Sequence, residues 1–272
     1  MGNSRSYDEF FQHFGFLVKE LHRLLLPGRI VAVHCMDLPT FKRSDQGIGI
    51  RDFPGDIIRS FQKEDFIYHS RHCIWKDPLI AATRTKAIGL AHKQIVKDSA
   101  MCRTGIADYI VSFRKKGENP KPIAHPEGLT KYYGSRSIPN NLESFFITPD
   151  GSKWEGLQKE NKRSQWIWQK YASPVWDDIR QSEVLSFRGA KGNDDEKHIC
   201  ALQTDLVERC IELWSTRGDI VLTPFMGIGT EVYVAVKNGR KGIGIELKES
   251  YYKQAIKNIE LAKIKKDEGF DL

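Results

Sequence analysis

A chain of 272 residues with 40% apolar content is long enough for one large domain or two small ones and can bury a sizeable core. Its net charge of +7 suits a polyanion partner, while no apolar run reaches membrane-spanning length and the N-terminus lacks the apolar stretch of a signal peptide. Five dispersed cysteines (Cys35, Cys73, Cys102, Cys200 and Cys210) form no Cys-x-x-Cys pair, which argues against a zinc site or disulfide framework and for reduced thiols in a cytoplasm.

Ser6 or Asp8 caps a predicted helix running to about Leu25, with Phe10, Phe14, Leu17, Leu21 and Leu24 at helical spacing on one wide apolar face. Pro27-Gly28 breaks it. Residues 30–36 read as a buried strand that ends in Asp37-Leu-Pro39. Ligand crevices in open α/β sheets lie at the carboxyl ends of strands, so Asp37 is placed either for function or for capping a turn. Residues 40–49 read as a polar loop, 56–63 as a helix and 67–75 as a strand. His69 and His72 are not spaced to share one face of that strand, which disfavours a metal role. From Arg71 to Lys116 the chain carries ten Lys or Arg against three Asp. Such a surplus is what phosphate contacts need, although a solvated loop can have the same composition. A strand over 108–114 closes this half.

Beyond it, Pro120, Pro122, Pro126, Pro139 and Pro149 punctuate a region of poor periodicity. Trp154, Trp166, Trp168, Tyr171 and Trp176 follow, interleaved with Lys153, Lys159, Lys162, Arg163 and Lys170. That mixture suits stacking and charge against nucleic acid, and equally a small satellite core. Asp194-Asp-Glu-Lys197-His198 leads into a predicted helix over 199–214, with Leu202, Leu206, Cys210 and Leu213 on one face.

The most informative stretch comes next. Ile220, Val221 and Leu222 make a short apolar run that suits a strand buried on both faces. Gly227 and Gly229 permit a tight turn and close approach of a ligand to the backbone. A helix is predicted over 230–238, then a second strand finishing on Glu246, then a closing helix over 248–266 with Tyr252, Ala255, Ile259 and Ala262 inward. The helix N-terminus can hold a carboxylate or phosphate, and the acid can bind two ribose hydroxyls. Gly229-Thr230-Glu231 does not supply the Gly-Lys-Ser/Thr of a P-loop, and Val232 stands where a dinucleotide fingerprint wants its third glycine. S-adenosylmethionine has no pyrophosphate, so two glycines and an acid suffice for it.

Pro224-Phe-x-Gly-x-Gly-Thr230 and Gly244-Ile-Glu246-x-x-x-Ser-Tyr-Tyr252 resemble the cofactor motifs of the beta-class DNA amino-methyltransferases. Thr223 stands where that family usually has Asp. The resemblance covers nearly the whole chain, loosest over 116–192. It implies an α/β, Rossmann-like methyltransferase sheet with permuted motif order and an irregular inserted region. It implies S-adenosylmethionine as cofactor, DNA as partner, and transfer of a methyl group to adenine N6 or cytosine N4. Residues 1–115 then form the catalytic half, 116–192 the candidate target-recognition region and 193–272 the cofactor half. Phe225, Gly227, Gly229, Thr230 and Glu246 are its cofactor residues. Lys197 and His198, upstream of the 199–214 helix, join them as pocket candidates or serve as a charged cap.

The family's Asp/Asn/Ser-Pro-Pro-aromatic tetrapeptide is not found: the 11 prolines include no Pro-Pro pair. Its polar group and a carbonyl accept bonds from the target amino group, and its aromatic stacks on the flipped base. In the family it precedes the helix that here spans 6–25, on a strand between those at 219–222 and 30–36. The sheet is therefore expected to lack a central strand, and catalytic residues remain unassigned. A shortened reading frame is the expected cause; a second polypeptide completing the sheet and a rearranged fold are the alternatives. A non-catalytic DNA- or cofactor-binding remnant is the rival function.

Overall fold

A computed structural model describes residues 4–40, 49–85, 92–102, 104–145, 154–190 and 200–267. In chain order its elements are α1 (Tyr7–Leu24), β1 (Ile30–Met36), β2 (Leu38–Thr40), β3 (Gly49–Arg51), α2 (Phe53–Lys63), β4 (Phe66–Ile74), α3 (Pro78–Thr85), α4 (Lys93–Lys97) and β5 (Asp108–Lys115). There follow α5 (Asn140–Glu143), α6 (Lys162–Tyr171), β6 (Val175–Trp176), α7 (Thr204–Trp214), β7 (Ile220–Thr223), α8 (Thr230–Lys237), β8 (Lys241–Gly244) and α9 (Glu249–Asp267). The chain divides into two compact units, 1–122 with 173–177 and 123–172 with 178–272. The second thus joins most of the inserted region to the glycine-turn half.

In the first unit, four strands form a mixed sheet in the order β1-β5-β4-β6. β5 is antiparallel to both neighbours, and β6 is parallel to β4. Ser6 caps α1 by accepting the Glu9 N–H at 3.1 Å, and Lys115 Nζ donates to the His22 and Leu25 carbonyls at its other end. α2 begins three residues before the predicted 56–63 span, because Asp52 accepts from Gly55 N and Pro54 fits a first turn. The apolar faces of both helices meet the sheet through Phe14, Val18, Ile57, Phe61, Phe66, Val111 and Phe113. The Phe61 and Phe113 rings stack with centroids 4.0 Å apart. Each fully buried side chain of this size contributes about 1.5–3 kcal/mol, so this layer is what holds the unit. β2 and β3 pair antiparallel and take in Thr40 and Gly49, the two ends of the predicted 40–49 loop, whose residues 41–48 lie outside the described residues.

In the second unit, β7 and β8 pair in parallel. Val207, Ile211, Tyr233, Val234 and Ala262 form a core among α7, α8 and α9. Three expectations are corrected here. The 220–222 run is not buried on both faces: Ile220 is 63% exposed and Ile243 of β8 50%. Only the other face of this strand pair packs on α8, where Gly242 leaves room for Val232. α7 starts at Thr204, not near 199. In α9 Tyr252 is exposed, while Gln254 and Asn258 are buried beside Ala255 and Ala262. Asn258 turns inward because its amide donates to the Ser186 and Ile228 carbonyls at 3.1 and 2.9 Å.

β1 and β7 are each the end strand of their own sheet, and the expected strand between them is not among the described residues. No described helix is long and apolar enough to cross a membrane.

Candidate functional site

The turn between β7 and α8 is tied to the end of β8. Ile245 N donates to Thr223 O, and Met226 N to Ile245 O, so the two strands stay bonded past their regular ends. Glu246 completes the tie. Its Oε2 accepts from Gly227 N and its Oε1 from Lys248 N, both at 2.8 Å. Each carboxylate oxygen keeps a further lone pair, so Glu246 can accept two more donors. The two glycines differ. Gly227, at φ +54°, has open space where a Cβ would stand. Gly229, at φ +90°, would set its Cβ 3.0 Å from the Ala255 Cβ, so it lets α9 approach rather than a ligand. Gly244 likewise makes room for Met226, whose sulfur lies 2.3 Å from where its Cβ would be. Gly229 caps α8, whose first backbone N–H groups are free of intrahelical partners. Phe225 is 56% exposed beside this turn, and Thr230 is buried. The Thr223 hydroxyl donates to Glu231 Oε1 at 3.2 Å, which sets a carboxylate in the first turn of α8. An open glycine backbone, a helix N-terminus and an acid with spare lone pairs fit an adenosine bearing an amino-acid tail.

In the first unit, polar groups gather at the carboxyl ends of β1 and β4. Asp108 is buried and accepts from His34 Nε2 at 3.0 Å and Lys76 Nζ at 2.5 Å. Burial works against its charge, but the bonds and charges of His34 and Lys76 outweigh it and hold the carboxyl below its ordinary range. Asp37 accepts from the Tyr109 hydroxyl at 3.3 Å, and the Arg71 guanidinium lies over the Tyr109 ring. Burial raises the Asp37 carboxyl against the opposing Tyr109 bond. Asp37 was legible as a strand-end acid. The Asp108 cluster was not, because its three members come from β1, the start of β5 and the residues after β4.

Several basic residues of 71–116 serve this unit. Lys76 pairs with Asp108, Lys115 caps α1, and Lys116 pairs with Asp65. Arg71 and Lys97 are exposed. Lys86 and Arg103 lie outside the described residues, as do the cofactor candidates Lys197 and His198. His72 stacks on Trp176 with centroids 4.4 Å apart, and its Nδ1 bonds the Ser173 carbonyl at 2.9 Å, a packing role. Within the inserted region a buried cation organises the aromatics. Arg209 of α7 pairs with Asp178 at 2.8 Å, donates twice to Tyr133 O and lies against the Tyr132 and Tyr171 rings.

The glycine turn between parallel strands, followed by an acid and set in an α/β chain, defines a Rossmann-like methyltransferase fold. A putative DNA modification methylase from Thermus thermophilus, crystallised with S-adenosyl-L-methionine, shares it. That structure matches with a TM-score of 0.60 at 19% identity over 94% of this chain and 79% of its own. The DNA methylase family model for N6 and N4 enzymes matches residues 1–257, and the chain belongs to that family. Type II methyltransferase M.MjaI of Methanocaldococcus jannaschii is 24% identical over 85% of this chain and 61% of its own length. DNA adenine methyltransferase YhdJ of Escherichia coli K12 is 33% identical over 40% of this chain and 37% of its own. The chain therefore spans less than two thirds of the length of these curated relatives.

Proposed function

We propose that this protein acts in S-adenosylmethionine-dependent methylation of an exocyclic amino group of DNA, adenine N6 or cytosine N4. Family membership supports this reading, and the observation that carries it is the Glu246 carboxylate bonded to the open Gly227 turn. Glu246 receives the ribose hydroxyls, Gly227 gives the cofactor access to the backbone, and Thr230 with the α8 N-terminus receives the anionic end of the amino-acid tail. Phe225 offers an exposed ring beside the turn, and Lys197 and His198 complete the pocket. The bound cofactor supplies a sulfonium methyl that is already electrophilic. The chain's own task is then alignment and exclusion of water, with no covalent nucleophile. Residues 1–115 and 116–192 serve as catalytic half and recognition region in this reading.

The test is transfer of labelled methyl from S-adenosylmethionine to genomic DNA by the purified chain, with calorimetric titration of the cofactor in parallel. Transfer establishes the reading. Cofactor binding without transfer identifies a non-catalytic relative. No cofactor binding by a folded protein overturns both.

A further inference from the structure

Within the second unit, the turn after β7 presents a charged group that the proposed cofactor contacts leave unused. From Thr223 to Val232 only Pro224, Phe225, Gly227 and Glu231 are not buried. Glu231 is the one charged residue among them, and residues 223–236 hold no Lys or Arg. We propose that the Glu231 carboxylate receives the α-ammonium of the amino-acid tail of S-adenosylmethionine, and so selects for a tail that carries one; this rests on the reading of the glycine turn as the cofactor's site.

An acid in the first turn of a helix ordinarily serves the helix itself, because its charge opposes the positive end of the dipole. Glu231 is held elsewhere. The hydroxyl of Thr223, buried at the end of β7, donates to its Oε1 at 3.2 Å, and α8 begins without a side-chain cap. The carboxylate is thus turned toward the strand end and flanks the turn. A carboxylate offers about four acceptor positions, and the Thr223 bond uses one of them. The frame around it is fixed. Ile245 N donates to Thr223 O at 3.0 Å, Asn258 Nδ2 to Ile228 O at 2.9 Å, and Gly227 N to Glu246 Oε2 at 2.8 Å. The turn is tied to the end of β8 on one side and to α9 on the other, so Glu231 meets an incoming ligand in a set position.

The tail of S-adenosylmethionine is a zwitterion whose ammonium and carboxylate sit on one carbon. Glu231 and the α8 N-terminus offer the two complementary charges within one helical turn, an anion for the ammonium and the positive end of a dipole for the carboxylate. An ammonium brings three N–H donors, and a carboxylate supplies charge-assisted acceptors for them. Glu246 stays with the ribose, so the two acids of the turn divide the ligand between them. The same group works against competitors. A nucleotide phosphate at this turn would meet the Glu231 charge with no Lys or Arg in 223–236 to offset it. Gly229-Thr230-Glu231 brings an acid to the start of the helix, where the Gly-Lys-Ser/Thr of a P-loop brings a base.

The experiment titrates the full chain calorimetrically with three ligands: S-adenosylhomocysteine, which carries the same tail, its analogue lacking the α-amino group, and methylthioadenosine, which has no tail. The wild type should bind S-adenosylhomocysteine about tenfold or more tightly than the desamino analogue, the scale of one charge-assisted bond. Glu231→Gln keeps an oxygen for the Thr223 hydroxyl and removes only the charge. It should lose that preference through weaker binding of S-adenosylhomocysteine, with methylthioadenosine affinity unchanged. Thr223→Val, which releases the carboxylate from the strand end, should reduce the preference several-fold. A wild type indifferent to the amino group, a preference that survives Glu231→Gln, or equal weakening of all three ligands by that variant would overturn the assignment. Methylthioadenosine binding that falls with Glu246→Ala would in those cases leave the cofactor reading intact. A folded wild type that binds none of the three removes both.

Discussion

At the scale of single residues, Glu246 does two jobs that can be separated. It holds the Gly227 turn, and in the proposed function it accepts the cofactor's ribose hydroxyls. Charge-assisted bonds of this kind are worth roughly 1.5–3 kcal/mol. Glu246→Ala should therefore weaken S-adenosylmethionine binding by about tenfold or more in calorimetry, and an unchanged affinity would remove Glu246 from the pocket. Asp108 makes a different prediction. Its folded carboxyl is held below the ordinary range, so its stabilisation is full above about pH 4 and is lost as pH falls through the lower folded value. Asp108→Asn should lower stability at pH 7 by about 1–3 kcal/mol, and the gap to wild type should close only in acid. Denaturant midpoints measured from pH 7 down to about 2 check this; a gap independent of pH would mean that His34 and Lys76 do not sense the charge.

Single elements show why two glycines two residues apart have different meanings. Both sit at positive φ, where a non-glycine residue costs about 1–2 kcal/mol. At Gly227 that is the whole penalty, because the space beside it is open. At Gly229 the new methyl also presses on Ala255 of α9 at 3.0 Å. Gly229→Ala should therefore destabilise the protein more than Gly227→Ala, whereas Gly227→Ala should damage cofactor binding more than stability. Paired thermal melts and cofactor titrations on the two variants read both quantities. α7 adds a lesson of its own. Asp205, Glu208 and Arg209 are buried on a helix whose pattern promised only an apolar stripe. Asp205 takes the Arg180 guanidinium at 2.6 Å, Glu208 pairs with Lys237 at 2.9 Å, and Arg209 with Asp178. Those partners lie well outside the helix in the chain, where periodicity has no reach.

For the molecule as a whole, binding to duplex DNA should weaken steeply as salt rises. The 71–116 surplus is less free than its count suggests, since Lys76 pairs with buried Asp108, Lys115 caps α1 and Lys116 pairs at the surface with Asp65. Arg71→Glu with Lys97→Glu should flatten the salt slope by about one to two, while Lys116→Glu should leave it nearly unchanged. Equal effects from all three would mean that net charge, not a surface, governs the encounter.

What could be read from the chain by itself was what local physics decides. Helix α1 with its Ser6 cap, the strand–glycine turn–helix–strand–acid order around 219–246, and strand β5 all follow from periodicity, capping and backbone freedom within about 30 residues. The family followed from those motifs. The tertiary structure decided which residues of one type do different work. It placed His34, Lys76 and Asp108 together from three elements, turned Asn258 inward, left Ile220 uncovered, and fastened the 125–129 loop to α6 through Ser164. Each of these depends on contacts between segments distant in the chain, whose energies no local pattern records.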